Sequence, residues 1–245
     1  MASMATTQSE VTALPWREFL LRERENWHPG QHWAIVAPTG EGKSTFTGGL
    51  VQLRRYVLIF DLKGGDGTLS QLRWERITKW PLSGADRKKM RDGEPVRRIV
   101  GGLGRSPAER AKRRSLFVQV LEGVLQEGGW TVVIPDLAIL TDRRFGAAGD
   151  QVTELLLLAR DAKVSVITEF QRPAGIPREA GDQASYLAVA YTRDVDAVGR
   201  LSEMMGRSRS EIRGAVAALG ELPYGWLIVS RRPREPILLT KPPKL

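Results

Sequence analysis

The apolar residues of this chain fall into short dense runs separated by longer stretches of mixed polarity. "HWAIVA" (His32 to Ala37), "YVLIFD" (Tyr56 to Asp61), "WTVVIPD" (Trp130 to Asp136), "KVSVITEF" (Lys163 to Phe170) and "SYLAVAYT" (Ser185 to Thr192) are runs of this kind. Near-continuous apolar runs of four to eight residues predict strands buried on both faces. Between them the apolar spacing is helical. In "PWREFLLRERENW" (Pro15 to Trp27), Trp16, Phe19, Leu20 and Trp27 fall at helical intervals before "HPGQ" stops the pattern. "KSTFTGGLVQLRR" (Lys43 to Arg55), "QVTELLLLARDA" (Gln151 to Ala162), "DAVGRLSEMMG" (Asp196 to Gly206) and "SRSEIRGAVAAL" (Ser208 to Leu219) also predict helices. "SPAERAKRRSLFVQVLEGVLQEGG" adds a long one, with Ser106 ahead of Pro107 as its start signal and Gly128–Gly129 as its stop. "GWLIVS" and "EPILLT" predict a terminal hairpin, and "ITKW" and "VRRIV" short strands in an otherwise irregular region. Strands alternating with helices predict an α/β fold with a mostly parallel sheet covered on both faces.

The 245 residues fit one domain with a single large core. The expected organisation is a flexible tail over 1–14, then one domain over 15–245 with a basic insertion at about 77–105. The absence of cysteine excludes disulfides, thiol catalysis and zinc fingers, and two histidines, His28 and His32, leave little for a metal cluster. No apolar run approaches the roughly 18 residues of a membrane span, and the composition suits a reducing cytoplasm. The net charge of +9 and pI near 10.1 favour a polyanionic partner. That charge is uneven: Arg87 to Arg114 holds eleven basic residues against Asp92, Glu94 and Glu109. Such a segment suits either a nucleic-acid contact, with Lys88, Lys89 and Arg91 the foremost candidates, or a solvated face.

"APTGEGKST" lies between the first predicted buried strand and a predicted helix, the context of a phosphate-binding loop. Gly40, Gly42, Lys43 and Ser44 match the second half of the GxxxxGK[ST] pattern, and Ala37 stands where its first glycine belongs. That position asks only for a small residue leaving the strand. The predicted nucleotide contacts are Ala37, Pro38, Thr39, Gly40, Glu41, Gly42, Lys43, Ser44 and Thr45. In such a loop backbone N–H groups surround the phosphates, the lysine reaches the β and γ oxygens, and the hydroxyl binds Mg²⁺. ATP and Mg²⁺ are the expected ligands. A second magnesium acid is needed at the end of a buried strand, and Asp136 is so placed, although an aspartate there also suits an ordinary turn. Leu137 follows it, where a water-activating glutamate often stands.

Four segments together resemble the HerA/FtsK superfamily of DNA-pumping P-loop ATPases: "APTGEGKST", "LIFDLKGGDGTL" with Asp61, Lys63 and Gly64, "VVIPDLAIL", and "LLLLARDAKVSVITEFQRP". The resemblance runs from about Gln31 to Pro173, and "LPYGWLIVS" is weakly similar to the family's closing strand. It implies a RecA-like core in which Gln171 is a polar sensor between the P-loop and Walker B strands, near the γ-phosphate. It also implies that Arg160 is a finger reaching the neighbouring subunit's site. Taken alone, Gln171 equally suits a surface amide, and Arg160 a cation favoured by a helix C-terminus. With Leu137 in place of the usual glutamate, Glu169 is the first candidate for the base and Glu41 the second.

Three functions fit these residues: a ring motor that moves double-stranded DNA, a small-molecule or nucleotide kinase, and a nucleotide-switched binding protein with little hydrolysis. The co-occurrence of the Asp61–Lys63–Gly64 and Gln171–Arg172–Pro173 turns favours the motor. A chain holding little beyond the motor core suits a viral packaging ATPase in host cytoplasm or virion, or the transfer ATPase of a mobile element. The implied partners are double-stranded DNA, further copies in a hexameric or pentameric ring, and a capsid or portal-vertex protein.

Overall fold

The structure, a computed structural model, describes residues 11–65, 67–103, 106–141, 148–190, 197–232 and 235–243. Ten strands form one sheet among them, in the order β1-β10-β9-β8-β2-β7-β6-β3-β5-β4. In chain order the elements begin with β1 (Val11–Ala13), α1 (Trp16–Asn26), β2 (His32–Val36), α2 (Lys43–Val51) and β3 (Tyr56–Phe60). There follow α3 (Gly67–Ser70), β4 (Arg76–Ile77), α4 (Gly84–Arg91), β5 (Val96–Val100), α5 (Pro107–Glu127), β6 (Thr131–Ile134) and α6 (Leu137–Thr141). The rest comprises α7 (Gly149–Leu158), β7 (Ser165–Phe170), α8 (Arg178–Gln183), β8 (Ala184–Ala190), α9 (Ala197–Met205), α10 (Arg209–Gly220), β9 (Trp226–Ser230) and β10 (Ile237–Thr240).

The strand pairings are parallel except where β9 runs against β8 and β10. The predicted α/β class and terminal hairpin are therefore present. Every residue of β2, β6 and β7 is buried, which explains why these runs carry no polar alternation. Their side chains still alternate between two cores. Trp33 and Ile35 join Phe19, Phe46 and Leu50 of α1 and α2 on one face. Ala34 and Val36 join Phe117, Leu121, Leu155, Leu201 and Ile212 of α5, α7, α9 and α10 on the other. Aromatic rings lock the first layer, with Trp33 stacked on Tyr186 at 4.6 Å and Phe46 on Trp226 at 4.5 Å.

Two expectations about organisation need correction. Residues 11–13 are not tail: β1 pairs in parallel with β10, so the chain is anchored before its first helix. Residues 1–10 lie outside the described residues, as do Tyr191 and Thr192 of the fifth predicted strand. The basic region at 77–105 is not a simple insertion either, because β5 pairs with β3 along its whole length and extends the sheet. Its charge is partly structural. Arg98 is buried in a bidentate pair with Asp86, and Arg97 donates to the carbonyls of Gln52 and Arg54. These two arginines hold α4 and the end of α2 to the sheet edge. A basic count alone cannot separate such buried anchors from surface charge.

Candidate nucleotide site

A cleft of about 700 Å³ opens at the C-terminal ends of β2, β3, β6 and β7. In open parallel sheets this edge is where ligands bind, because loops leaving neighbouring strands diverge there. The loop after β2 carries Thr39, Gly40, Gly42, Lys43, Ser44 and Thr45 into the cleft. Gly40 and Gly42 adopt φ of 91° and 81°, left-handed values that side chains resist, so glycine here is a backbone requirement. Ala37 is fully buried beneath the loop and its N–H donates to the Phe170 carbonyl. Ala37, Pro38 and Glu41 do not line the cleft. The carbonyls of Ala37 and Pro38 instead accept from Lys43 Nζ, holding the ammonium over the loop. Burial pushes the Lys43 pKa below its ordinary value, against the opposing pull of Glu169 and Asp136.

Asp136 follows β6 in a left-handed conformation, φ 60°, a strain of roughly 1–2 kcal/mol for a non-glycine residue. The turn brings Pro135 and Asp136 to the cleft, while Leu137 is buried in the core below. The position after Asp136 thus belongs to the core and not to the cleft lining. Ser44 and Asp136 bring a hydroxyl and a carboxylate to the same cleft, a donor pair that fits Mg²⁺ completed by phosphate oxygens and water.

β7 runs between β2 and β6. Glu169, near its end, is buried and accepts from Thr47 Oγ1 of α2 at 2.6 Å. The next two residues, Phe170 and Gln171, also line the cleft, and Gln171 is exposed there. Lys43, Asp136, Glu169 and Gln171 therefore come together from three segments more than thirty residues apart. Thr47 is a residue that sequence reasoning missed; its only signal is a hydroxyl one helical turn beyond Lys43. Trp16, Gln52, Leu69, Leu72 and Pro243, which line the same cleft, gave no sequence signal.

The Asp61–Lys63–Gly64 turn forms the rim. Asp61 accepts from the N–H groups of Gly64 and Gly65 at 2.9 and 2.7 Å and from Arg76 at 2.7 Å. Burial pushes its carboxyl up, but these donors outweigh burial and hold it below the usual carboxylate range. The closed turn places Lys63 on the cleft.

Arg160 is not at this cleft. It lies in the turn before β7, where its carbonyl oxygen would stand 2.9 Å from a Cβ at Gly30, just ahead of β2, and so leaves no room there for a side chain. Its charge also acts on His32, whose pKa falls to about 4 mainly through burial and secondarily through Arg160. The five residues of β2 put Arg160 roughly 16 Å from the loop that leaves the strand's far end. Lys88, Lys89 and Arg91 are exposed on α4. α4 is tied to the same far edge, since Tyr56 at the start of β3 donates to the Met90 carbonyl. Arg87 likewise reaches Glu127 at the C-terminal end of α5. No described helix is long and apolar enough to cross a membrane.

No protein-family model and no curated protein matches the sequence. Solved structures do match in fold. The genome packaging NTPase B204 of Sulfolobus turreted icosahedral virus 2, in complex with ATP-gammaS, superposes with a TM-score of 0.58 at 15% identity, over 88% of this chain and 99% of that one. B204 of Sulfolobus turreted icosahedral virus, described as a DNA-packaging ATPase, gives 0.56 at 16%, over 89% and 100%. The cytoplasmic domain of the type VII secretion ATPase EccC of Thermomonospora curvata gives 0.55 at 16%, over 88% of this chain and 25% of that one. The loop after β2 and these superpositions show that the chain has the fold of a P-loop NTPase.

Proposed function

We propose that this protein hydrolyses ATP with Mg²⁺ and couples the hydrolysis to moving double-stranded DNA, as a ring of identical subunits that packages a viral genome into a capsid. The observation that carries the reading is the convergence of Lys43, Ser44, Asp136, Glu169 and Gln171 on one cleft at the ends of parallel strands. B204, which shares this fold nearly end to end, is a packaging ATPase, and this supports the packaging form over transfer by a mobile element.

In the proposed mechanism the loop N–H groups and Lys43 hold the triphosphate, and Ser44 and Asp136 would hold Mg²⁺, which would supply positive charge against the phosphate oxygens. Glu169, oriented by Thr47, takes a proton from the attacking water, and Gln171 fixes the γ-phosphate or that water. Arg160 sits at the wrong end of the sheet to serve its own nucleotide, so its proposed role is to complete a neighbour's site in the ring. Lys88, Lys89 and Arg91 are the proposed contacts to DNA phosphates, at the edge of the sheet remote from the nucleotide.

Mixing tests the shared site. Arg160→Ala subunits keep an intact loop, and Lys43→Ala subunits keep the arginine, so each is inactive alone while mixed rings regain part of the turnover. Mixed rings that form and stay inactive would refute the trans role of Arg160. DNA-independent turnover in the wild type, or stimulation by nucleoside monophosphates instead of DNA, would refute the motor.

A further inference from the structure

The cleft is longer than a triphosphate and magnesium require. Beyond the phosphate loop it continues along α2 past Gly48, Gly49 and Gln52, under Trp16 of α1 and the Leu69 and Leu72 side chains. These residues bring no ionisable group. Gly48 lies five residues beyond Lys43, about 7.5 Å along the helix axis, so the recess starts where the sugar and base of a nucleotide leave the phosphates.

Two adjacent glycines in the middle of a nine-residue helix run against helix propensity, since each costs nearly 1 kcal/mol relative to alanine. Gly49 has an internal reason: a Cβ there would meet Trp16 Cζ2 at 2.3 Å. Gly48 has none within the protein, because a Cβ there would have no neighbour within 4 Å. It nevertheless faces the cleft. Its bare surface thus continues the floor on which the Trp16 ring stands. That ring is half-buried and held by Phe19 and Phe46 at centroid distances of 5.3 and 5.4 Å. Beside Gln71, the recess is lined by the amide of Gln52. Its Oε1 accepts from Arg97 at 2.6 Å, which leaves the amide N–H₂ to donate to a ring nitrogen.

We infer that this recess is the nucleobase subsite: the base of the bound nucleoside triphosphate stacks on Trp16 and lies over the bare face of α2 at Gly48. An apolar, aromatic-lined pocket with one oriented amide suits a heteroaromatic ring. The inference rests on the proposed phosphate site, of which this is the continuation. Loss of base stacking on an aromatic side chain weakens binding by roughly 5- to 150-fold.

The test compares ATP with inorganic tripolyphosphate by calorimetric titration. The proteins are the wild type, Trp16→Leu and Gly48→Leu, each also melted thermally. Gly48→Leu is the decisive variant, because a helix-favouring side chain entering open space leaves the melting temperature unchanged or higher. The expected result is that both variants lose ATP affinity by about tenfold or more and hold tripolyphosphate within about twofold. Gly48→Leu with full ATP affinity would overturn the base subsite and leave the phosphate loop standing. A wild type that binds neither compound would remove the phosphate site itself, and the subsite with it.

Discussion

Replacing Glu169 by glutamine tests the chemistry at its most unusual point, since the base proposed here stands on β7 and not beside Asp136. The geometry makes the perturbation clean. Thr47 Oγ1 donates to Glu169 Oε1 at 2.6 Å, and a glutamine carbonyl oxygen still accepts that bond, so the fold changes by less than about 1 kcal/mol. Removing a positioned general base costs about 10²- to 10⁴-fold in turnover, or roughly 3–5 kcal/mol of barrier. Binding moves the other way. The Glu169 carboxylate lies in the field of Lys43, so its loss leaves more positive potential facing the phosphates, and ATP affinity holds or rises. The assays are phosphate release with DNA present, ATP titration and thermal melting. Glu41→Gln is the control, because Glu41 does not line the cleft, and it retains turnover within about twofold. Thr47→Val, which removes the hydroxyl that orients the base, lowers turnover, while Thr47→Ser preserves it. Turnover in Glu169→Gln within about tenfold of wild type would refute the assignment, as would loss of activity in Glu41→Gln alone.

Asp136→Asn is expected to keep ATP binding and lose Mg²⁺-dependent turnover by about 10²- to 10³-fold, the usual effect of one preorganised electrostatic group; normal turnover would place the magnesium acid elsewhere. Neutralising Lys88, Lys89 and Arg91 together is expected to flatten the salt dependence of DNA affinity by up to about three counterions, read from binding isotherms at several salt concentrations. An unchanged slope would return α4 to the role of a solvated face. Glu23 carries a pH dependence of stability: burial raises its pKa to about 7, against the opposing effect of Arg22. Its protonated form favours the fold, so its contribution is complete below the unfolded value near 4.5 and is lost as pH rises through about 7. That displacement corresponds to about 3 kcal/mol. The wild-type melting temperature should therefore fall more steeply than that of Glu23→Gln between pH 5 and 8, and parallel curves would contradict the account.

The buried strands and the phosphate loop were legible in the sequence because their causes are local. Residues covered on both faces are mostly apolar without alternation, as in Trp33 to Val36, and Gly40 and Gly42 must adopt φ values that other residues resist. The resemblance to HerA/FtsK-type ATPases rested on the same short segments. Only the tertiary structure decided what those segments meet. Pairing between strands distant in sequence set β7 between β2 and β6 and brought Glu169 to Thr47, and it carried Arg160 to the far end of the sheet. Nothing local marks Arg98 as a buried partner of Asp86 while Lys88 stays exposed, because a charge shows its burial only through its neighbours in space. Residues 11–13 likewise read as tail until β10, formed near the other end of the chain, supplies the hydrogen-bonding edge that makes them a strand.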